Sequence, residues 1–450
     1  MNSGPVTQLP EQIHRGQTRI AYLRAAKYAH VLMWVHGTST GWHYYDGKRW
    51  AEDNRGVAVQ SVAALLRTCL SDSLDDPELR KDVRRCESSA GIRGVLEIAQ
   101  ALPEFAHTID DLDVDAHLLN TQSGTLDLNE MQLRPHDPRD RITKVTEAAY
   151  RPDRVSLVWE KFLETSLPDP DVRDFLQRYL GLALLGEVRE HLLCLLVGSG
   201  RNGKSVCANA FGHALGDYAI SVEPELFLER GSHSTTGELD LRGVRWAVVN
   251  ETDEGRRLAA ATLKRLVGGD AVRARALYRD HVEFIPSHTA AMLSNYLPRV
   301  SGDDEAVWAR LRVVPWDVVI PPEEQDHNLG KKLKADRDAI LGWIVEGWTK
   351  YDRCGGLTAP PAVLAATGAY KADQDPIGRF IAERCVTGPL VSSGAGPLYD
   401  AWVAYAAEEQ TDPGSKRAFG QALDKRGHTA RKGTGGARIR EGIGLALDED

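Results

Sequence analysis

The stretch VGSGRNGKSV, residues 197–206, sets Gly198, Ser199, Gly200, Arg201, Asn202, Gly203, Lys204, Ser205 and Val206 directly after an apolar run. Gly198, Gly203, Lys204 and Ser205 satisfy G-x-x-x-x-G-K-[ST], in which backbone N–H groups turn toward one anion. The N-terminus of a following helix adds its positive end. Lys204 then reaches the β- and γ-phosphates of a nucleoside triphosphate, and the Ser205 hydroxyl ligates Mg²⁺. Such a site also needs an acid. In RGVRWAVVNETDEG the apolar run 246–249 is followed by Asn250 and then Glu251, whose carboxylate would face the same crevice and serve the Mg²⁺ shell or the attacking water. Asp253 and Glu254 read as solvated turn residues. A third apolar run, HTAAMLSN, ends at Asn295, whose amide either orients the lytic water or closes a strand in the turn SNYLP.

Cationic groups form a second set. AVRARALY and HVEFIP, separated by Arg279 and Asp280, read as a β-hairpin with Arg273 and Arg275 on its strands and Arg279 and His281 at its tip. This arrangement suits either a phosphate backbone or plain solvent. Near the C-terminus, SKRAFGQALDKRGHTARKGTGGARIREGI carries Lys416, Arg417, Lys425, Arg426, Arg431, Lys432, Arg438 and Arg440 against two acids, Asp424 and Glu441. A cationic end on a chain of formal net charge -9 is informative, because local patches outweigh the sum.

These residues require particular elements. HLLCLLV reads as a buried parallel strand, and SVCANAFGHAL as a helix stopped by Gly216. Upstream, YAHVLMWVHGTSTGWHYYDGKRW suits a small hairpin or meander and residues 57–102 read as helical. DRVSLVWEKFLETSL and DVRDFLQRYLGLALLG read as helices, the second ending at Gly186. At 450 residues, 42% apolar and 26% charged, the chain is a globular protein of several domains. The cysteines Cys69, Cys86, Cys194, Cys207, Cys354 and Cys385 are scattered, without metal-binding or disulfide spacing, and read as reduced thiols. MNSGPVTQLPEQIHRGQ has no signal-peptide core and the apolar runs are short of a membrane span, so a cytoplasmic protein with no membrane partner is expected.

The ordered set GSGRNGKS, VVNETDEG, LKRLVGGDAVRARALY, AAMLSNYLPRV and DEAVWARLRVVPW resembles the superfamily 3 helicases, in their phage, plasmid and poxvirus primase-helicase branch. The likeness runs over 192–316 and continues loosely upstream. It implies an AAA+-type ATPase with a parallel sheet, bound to ATP and Mg²⁺. It further implies a ring, usually a hexamer, that translocates on single-stranded DNA and opens forked duplex. Carried over, Lys204 and Ser205 form the phosphate-loop pair, Glu251 is the second-motif acid and Asn295 the polar sensor. Lys264, Asp270 and Arg275 fall in the superfamily's own motif. Arg310, with Arg312 as the alternative, is the arginine reaching a neighbouring subunit's γ-phosphate. Ala309 stands where a basic residue is common. The basic C-terminal segment resembles a winged-helix DNA-binding domain, placing Lys416, Arg417, Arg431 and Lys432 on DNA.

The expected division is 1–105, an accessory α+β region; 106–187, a helical collar; 188–345, the ATPase core; 346–374, a linker around TAPPAVLAAT; and 375–450, the winged-helix-like module. Asp111, Asp113 and Asp115 of DDLDVDA alternate as on a strand face, yet lack the partners a two-metal polymerase site needs. A separate primase or polymerase is therefore expected. A different class of function, an ATP-switched replication initiator or loader that unwinds little, would show specific duplex binding and slow turnover.

Overall fold

The computed structural model describes residues 14–37, 41–229, 236–250, 255–275, 281–300, 304–432 and 438–446. The chain opens with α1 (Gly16–Tyr28), β1 (Leu32–His36), β2 (Gly41–Tyr45), β3 (Trp50–Glu52), α2 (Val57–Asp72), α3 (Pro77–Cys86), α4 (Ser89–Ala99) and β4 (Ala106–Thr108). β1, β2 and β3 form the expected antiparallel meander, and β4 adds in parallel beside β1. The helices close over it around Ile20, Val62, Val83 and Phe105. Asp76 caps α3 by accepting from the Leu79 amide at 2.9 Å, with Pro77 in the first turn.

Next come β5 (Leu118–Thr121), β6 (Gly124–Asp127), β7 (Gln132–Arg134), α5 (Leu157–Ser166) and α6 (Pro170–Leu182). The acidic run before β5 is not a strand. Asp111 accepts from the Thr108 amide and Asp115 from the His117 amide as local turn caps, while Asp113 accepts from the Thr143 amide and ties the run to a distant segment. α5 begins at the cap Ser156, and α6 at Asp169 followed by Pro170. α6 ends at Leu182, one turn short of Gly186.

The central region contains β8 (Leu193–Val197), α7 (Lys204–Leu215), β9 (Ala219–Val222), α8 (Thr236–Leu239), β10 (Trp246–Asn250), α9 (Ala260–Leu266), β11 (Val272–Arg275) and β12 (His281–Phe284). It continues through β13 (Thr289–Ser294), α10 (Glu305–Trp308), β14 (Leu311–Pro315), α11 (Leu329–Ala335), α12 (Arg337–Cys354) and α13 (Pro361–Asp373). The main sheet has the order β14-β8-β13-β10-β9, all neighbours parallel. Parallel strands buried on both faces must be apolar throughout, which is why LCLLV and WAVV were readable. β11 and β12 pair antiparallel apart from this sheet, with Arg273 opposite Glu283. At the β14 edge, the Thr367 hydroxyl of α13 accepts from the Val313 amide at 3.0 Å, covering an otherwise open strand.

The C-terminal region is α14 (Pro376–Arg384), β15 (Cys385–Gly394), α15 (Ala395–Glu408), α16 (Lys416–Lys425), β16 (Ala430–Lys432) and β17 (Arg438–Leu445). Its antiparallel sheet, of order β15-β17-β16, encloses a separate core of Phe380, Leu398, Trp402, Phe419 and Ile443.

Two expected boundaries do not coincide with breaks in packing. One core joins Leu119, Leu126, Phe162 and Tyr179 to Leu196, Phe211 and Trp348, and so runs across 187/188. The 345/346 boundary falls inside α12, and the expected linker is largely helical, because Pro361 occupies the first turn of α13 rather than a flexible joint. α6 and α12 cross at glycines. A Cβ at Gly181 would collide with the backbone of Trp348, and one at Gly347 with that of Gln177. Arg245, just before β10, is buried against Tyr218, and its guanidinium donates to the carbonyls of Leu184 and, at 2.7 Å, Leu118.

Candidate functional site

The loop leaving β8 lies at the C-terminal end of the main sheet, where ligands of open α/β sheets bind. It is clamped at both ends. The Trp316 amide donates to Val197 O at 2.7 Å, and the buried Asn202 side chain donates to Trp316 O at 2.9 Å. A Cβ at Gly198 would occupy the space of Asn202 Nδ2 and Trp316 O, so only glycine fits there. Gly203 has φ +89° and lies against α5; a Cβ would stand 2.8 Å from Phe162 Cε2 and from Ser166 Oγ. α7 starts at the next residue, with Ser205 exposed in its first turn.

Lys204 and Asn295 meet in this crevice. The Lys204 ammonium donates to Gly198 O at 2.6 Å and to Asn295 Oδ1 at 3.2 Å, across the ends of the neighbouring strands β8 and β13. Residues 200–206 and 293–295 line a cavity of about 210 Å³. Arg201, Gly203 and Val206 also line a second cavity of about 930 Å³, walled by Leu157, Val158 and Phe162 of α5 and by Ile320 and Leu329 after β14. Sequence reading did not place α5 at the site. Its apolar spacing announces a packed helix and nothing about what it packs beside.

The other candidates fall elsewhere. Glu251, Asp253, Glu254 and Arg279 lie outside the described residues. Asn250 is the exposed last residue of β10, two strands from β8, and donates to Ser221 Oγ at 2.8 Å. Arg310 precedes Leu311, which pairs with Leu193 at the start of β8, whereas the glycine-rich loop follows Val197 at its end. At about 3.3 Å per residue, Arg310 starts more than about 13 Å from its own loop. It donates to Ala306 O at 2.8 Å, and Arg312 to Leu311 O at 2.7 Å.

Lys264 is not displayed as a free cation. Its ammonium is bound by Asp304 at 2.8 Å, which pulls the Asp304 carboxyl below its ordinary range. Arg273 is exposed; Arg275 and His281 are paired by backbone, and their side chains lie outside the described structure. In the C-terminal region Lys416, Arg417 and Lys432 are exposed, while Arg431 pairs with Glu441 at 2.8 Å. Arg440 turns inward to Asp424. No group of His, Cys, Asp and Glu side chains suited to a metal occurs among the described residues, and no described helix is long and apolar enough to cross a membrane.

Residues 21–168 match the family described as D5 N terminal like, a match that runs through the expected boundary at 105/106. Residues 196–310 match a family of unknown function, DUF5906. The chain is 26% identical over 336 residues to a protein named as a helicase in Acanthamoeba polyphaga mimivirus, covering 69% of this chain and 35% of that one. It is 27% identical over 359 residues to a protein named as a primase in African swine fever virus, covering 74% and 37%. A protein named as a helicase in Frog virus 3 is 25% identical over 335 residues, covering 70% and 32%. The chain thus spans about a third of the length of these curated relatives. A solved apo structure of the NrS-1 C-terminal region aligns with 66% of this chain and 77% of its own, at 11% identity and a TM-score of 0.44. Its D5-like segment and its relatives among large DNA viruses support a relation to the superfamily 3 primase-helicases.

Proposed function

We propose that this chain is the ATPase motor of a ring-forming DNA helicase, of the AAA+ type. The observation that carries the reading is the junction of Lys204 with Asn295 in a phosphate-sized cavity at the C-terminal edge of a parallel sheet. The strand order supports it: β13 separates β8 from β10, so Asn295 stands between the phosphate loop and the end of the strand that precedes Glu251. The triphosphate would take the small cavity, and the nucleoside the larger one beside α5, where apolar side chains such as Phe162 and Ile320 alternate with polar ones such as Gln325 and Thr165.

The glycine positions that exclude any Cβ and the exposed Ser205 hydroxyl fit a phosphate-bound Mg²⁺, a hard cation taking oxygen ligands, with Glu251 as the acid of its shell. When bound, the ion would neutralise charge on the phosphates. Lys204 exchanges its contacts with Gly198 O and Asn295 for phosphate oxygens, and the released Asn295 amide orients the attacking water. Arg310 is too far along β14 to act on its own subunit's nucleotide, which suits a role at a neighbour's site and makes turnover depend on assembly.

DNA would be gripped by the β11–β12 hairpin through Arg273, Arg275, Arg279 and His281. The C-terminal order helix, strand, helix, helix, strand, strand supports a winged-helix module that presents Lys416 and Arg417 on α16 and Lys432 on β16. That module also favours the second reading, an initiator that binds specific duplex and turns over slowly.

Unwinding of a forked duplex by wild type and Lys204→Ala decides between them. The motor reading expects ATP-dependent strand displacement that Lys204→Ala abolishes. Arg279→Ala with His281→Ala should also stop unwinding while sparing ATP binding. Undiminished strand displacement by that double variant would sink the motor reading.

A further inference from the structure

None of the described residues before 100 lines either cavity of the site above, yet they contain a strongly segregated charge pattern. α3 reads PELRKDVRRC, and its acids are engaged away from the cavity that its cations line: Asp76 at the cap, Glu78 in the first turn and Asp82 on the inner side. Asp76 caps the helix and receives Arg19 Nη2 at 2.7 Å. Asp82 is buried, accepts from the Gly16 amide at 2.7 Å and lies 3.8 Å from Arg19. Glu78 lies 3.9 Å from Arg15.

The outer side is cationic. Arg80, Lys81, Arg84 and Arg85 line a shallow cavity of about 410 Å³ together with Ser73, Leu74 and Pro77, and no carboxylate is among its described lining residues. Among the described residues no ion pair joins these four cations to an acid. Arg80 with Arg84, and Lys81 with Arg85, are like charges four residues apart, an arrangement that costs a helix a few tenths of a kcal/mol per pair. Each pair rises about 6 Å along the axis, giving two short parallel rows of positive charge. Leu74, 74% exposed, stands at the rim and offers apolar contact beside them.

We infer that this face of α3 is a second nucleic-acid contact surface, binding the phosphate backbone of DNA. It is separate from the hairpin and the C-terminal module, and rests on the proposed DNA-binding function only for the identity of the polyanion. Four closely spaced cations match the charge density of a phosphate backbone, and they act by counterion release without reading sequence.

The test uses the full chain without nucleotide and a fluorescein-labelled 30-mer, single-stranded in one arm and duplex in the other, titrated between 50 and 200 mM salt. The variant is Arg80→Gln/Lys81→Gln/Arg84→Gln/Arg85→Gln, whose glutamines keep helix propensity. We expect at least a tenfold loss of affinity at 150 mM salt in one or both arms. For the single strand, the slope of log K against log salt should fall by about 3. Binding of a fluorescent ATP analogue and the circular dichroism spectrum should stay as in wild type. The lysine variant Arg80→Lys/Arg84→Lys/Arg85→Lys should retain wild-type affinity, since phosphate contacts of this kind need charge rather than a planar fork.

The arm that weakens identifies the form of DNA held. Wild-type affinity and slope for the glutamine variant in both arms would overturn the inference, and capture of poly-glutamate by wild type alone would then assign the face to an acidic protein. A wild-type chain that binds neither DNA would overturn the DNA-binding reading together with this one.

Discussion

Asn295→Ala separates the two duties assigned to this amide. In the free site Lys204 is held by Gly198 O at 2.6 Å and by Asn295 Oδ1 at 3.2 Å. The second contact is longer than the 2.7–2.9 Å usual for charge-assisted bonds, so its value lies at the lower end for a charged partner, about 1.5 kcal/mol. That contact stabilises the empty site and is surrendered when phosphate binds. Its removal should therefore leave ATP affinity unchanged or raise it, by at most about tenfold. Orientation of the attacking water is felt only in the transition state, where loss of one preorganised polar group costs about 10²–10³ in kcat. The expected signature is a fallen kcat with a Kd for ATP that does not rise, measured by steady-state phosphate release with single-stranded DNA and by equilibrium titration of a fluorescent analogue. A tenfold weaker Kd, or a kcat within threefold of wild type, would refute the division of labour.

Three further outcomes are expected. Arg310→Ala should bind ATP normally and lose about a thousandfold in turnover, and mixing it with Lys204→Ala should restore part of the rate by creating hybrid sites; normal turnover of Arg310→Ala alone removes the assignment. Gly347→Ala, which drives a methyl into the Gln177 carbonyl across the α6–α12 crossing, should cost about 3 kcal/mol and lower the melting temperature by roughly 5–10 °C; an unchanged melt would mean that the helices separate freely. His288 is buried, and burial pulls its pKa from 6.5 to about 4. The folded state therefore binds fewer protons, so its stability is intact above pH 6.5 and declines as pH falls toward 4, by at most about 3 kcal/mol. His288→Phe should flatten that decline in urea melts at pH 7, 5.5 and 4.5, and an unaltered slope would show that other groups cause it.

The strand, the glycine loop and the helix of residues 193–215 were legible because each is governed by local chemistry: an apolar strand, glycines at constrained positions and a Gly216 stop. Asn295 was visible as a strand-ending amide, but its contact with Lys204 depends on β13 lying beside β8, which no local pattern encodes. The role of Phe162 and Ser166 in confining Gly203 was hidden for the same reason. The proline pair at 360–361 was misread because proline serves both linkers and first helical turns, and only packing against β14 distinguishes them. DDLDVDA had the alternation of a strand, but competing side-chain hydrogen bonds to Thr108, Thr143 and His117 took the backbone elsewhere. The basic residues were counted correctly as charge, and the positions of Asp304 and Glu441 decided which of them remain available.

Arg245 carries a practical consequence for dissecting the protein. Its guanidinium is buried between Tyr218 and the carbonyls of Leu184 and Leu118, so a fragment beginning at the 187/188 boundary would keep the arginine and discard both acceptors. The orphaned cation would then have to drag water into the underside of β10 or force the strand outward. The smallest fragment expected to keep the main sheet intact accordingly begins upstream of Leu118, with the β5–β7 meander serving as its floor.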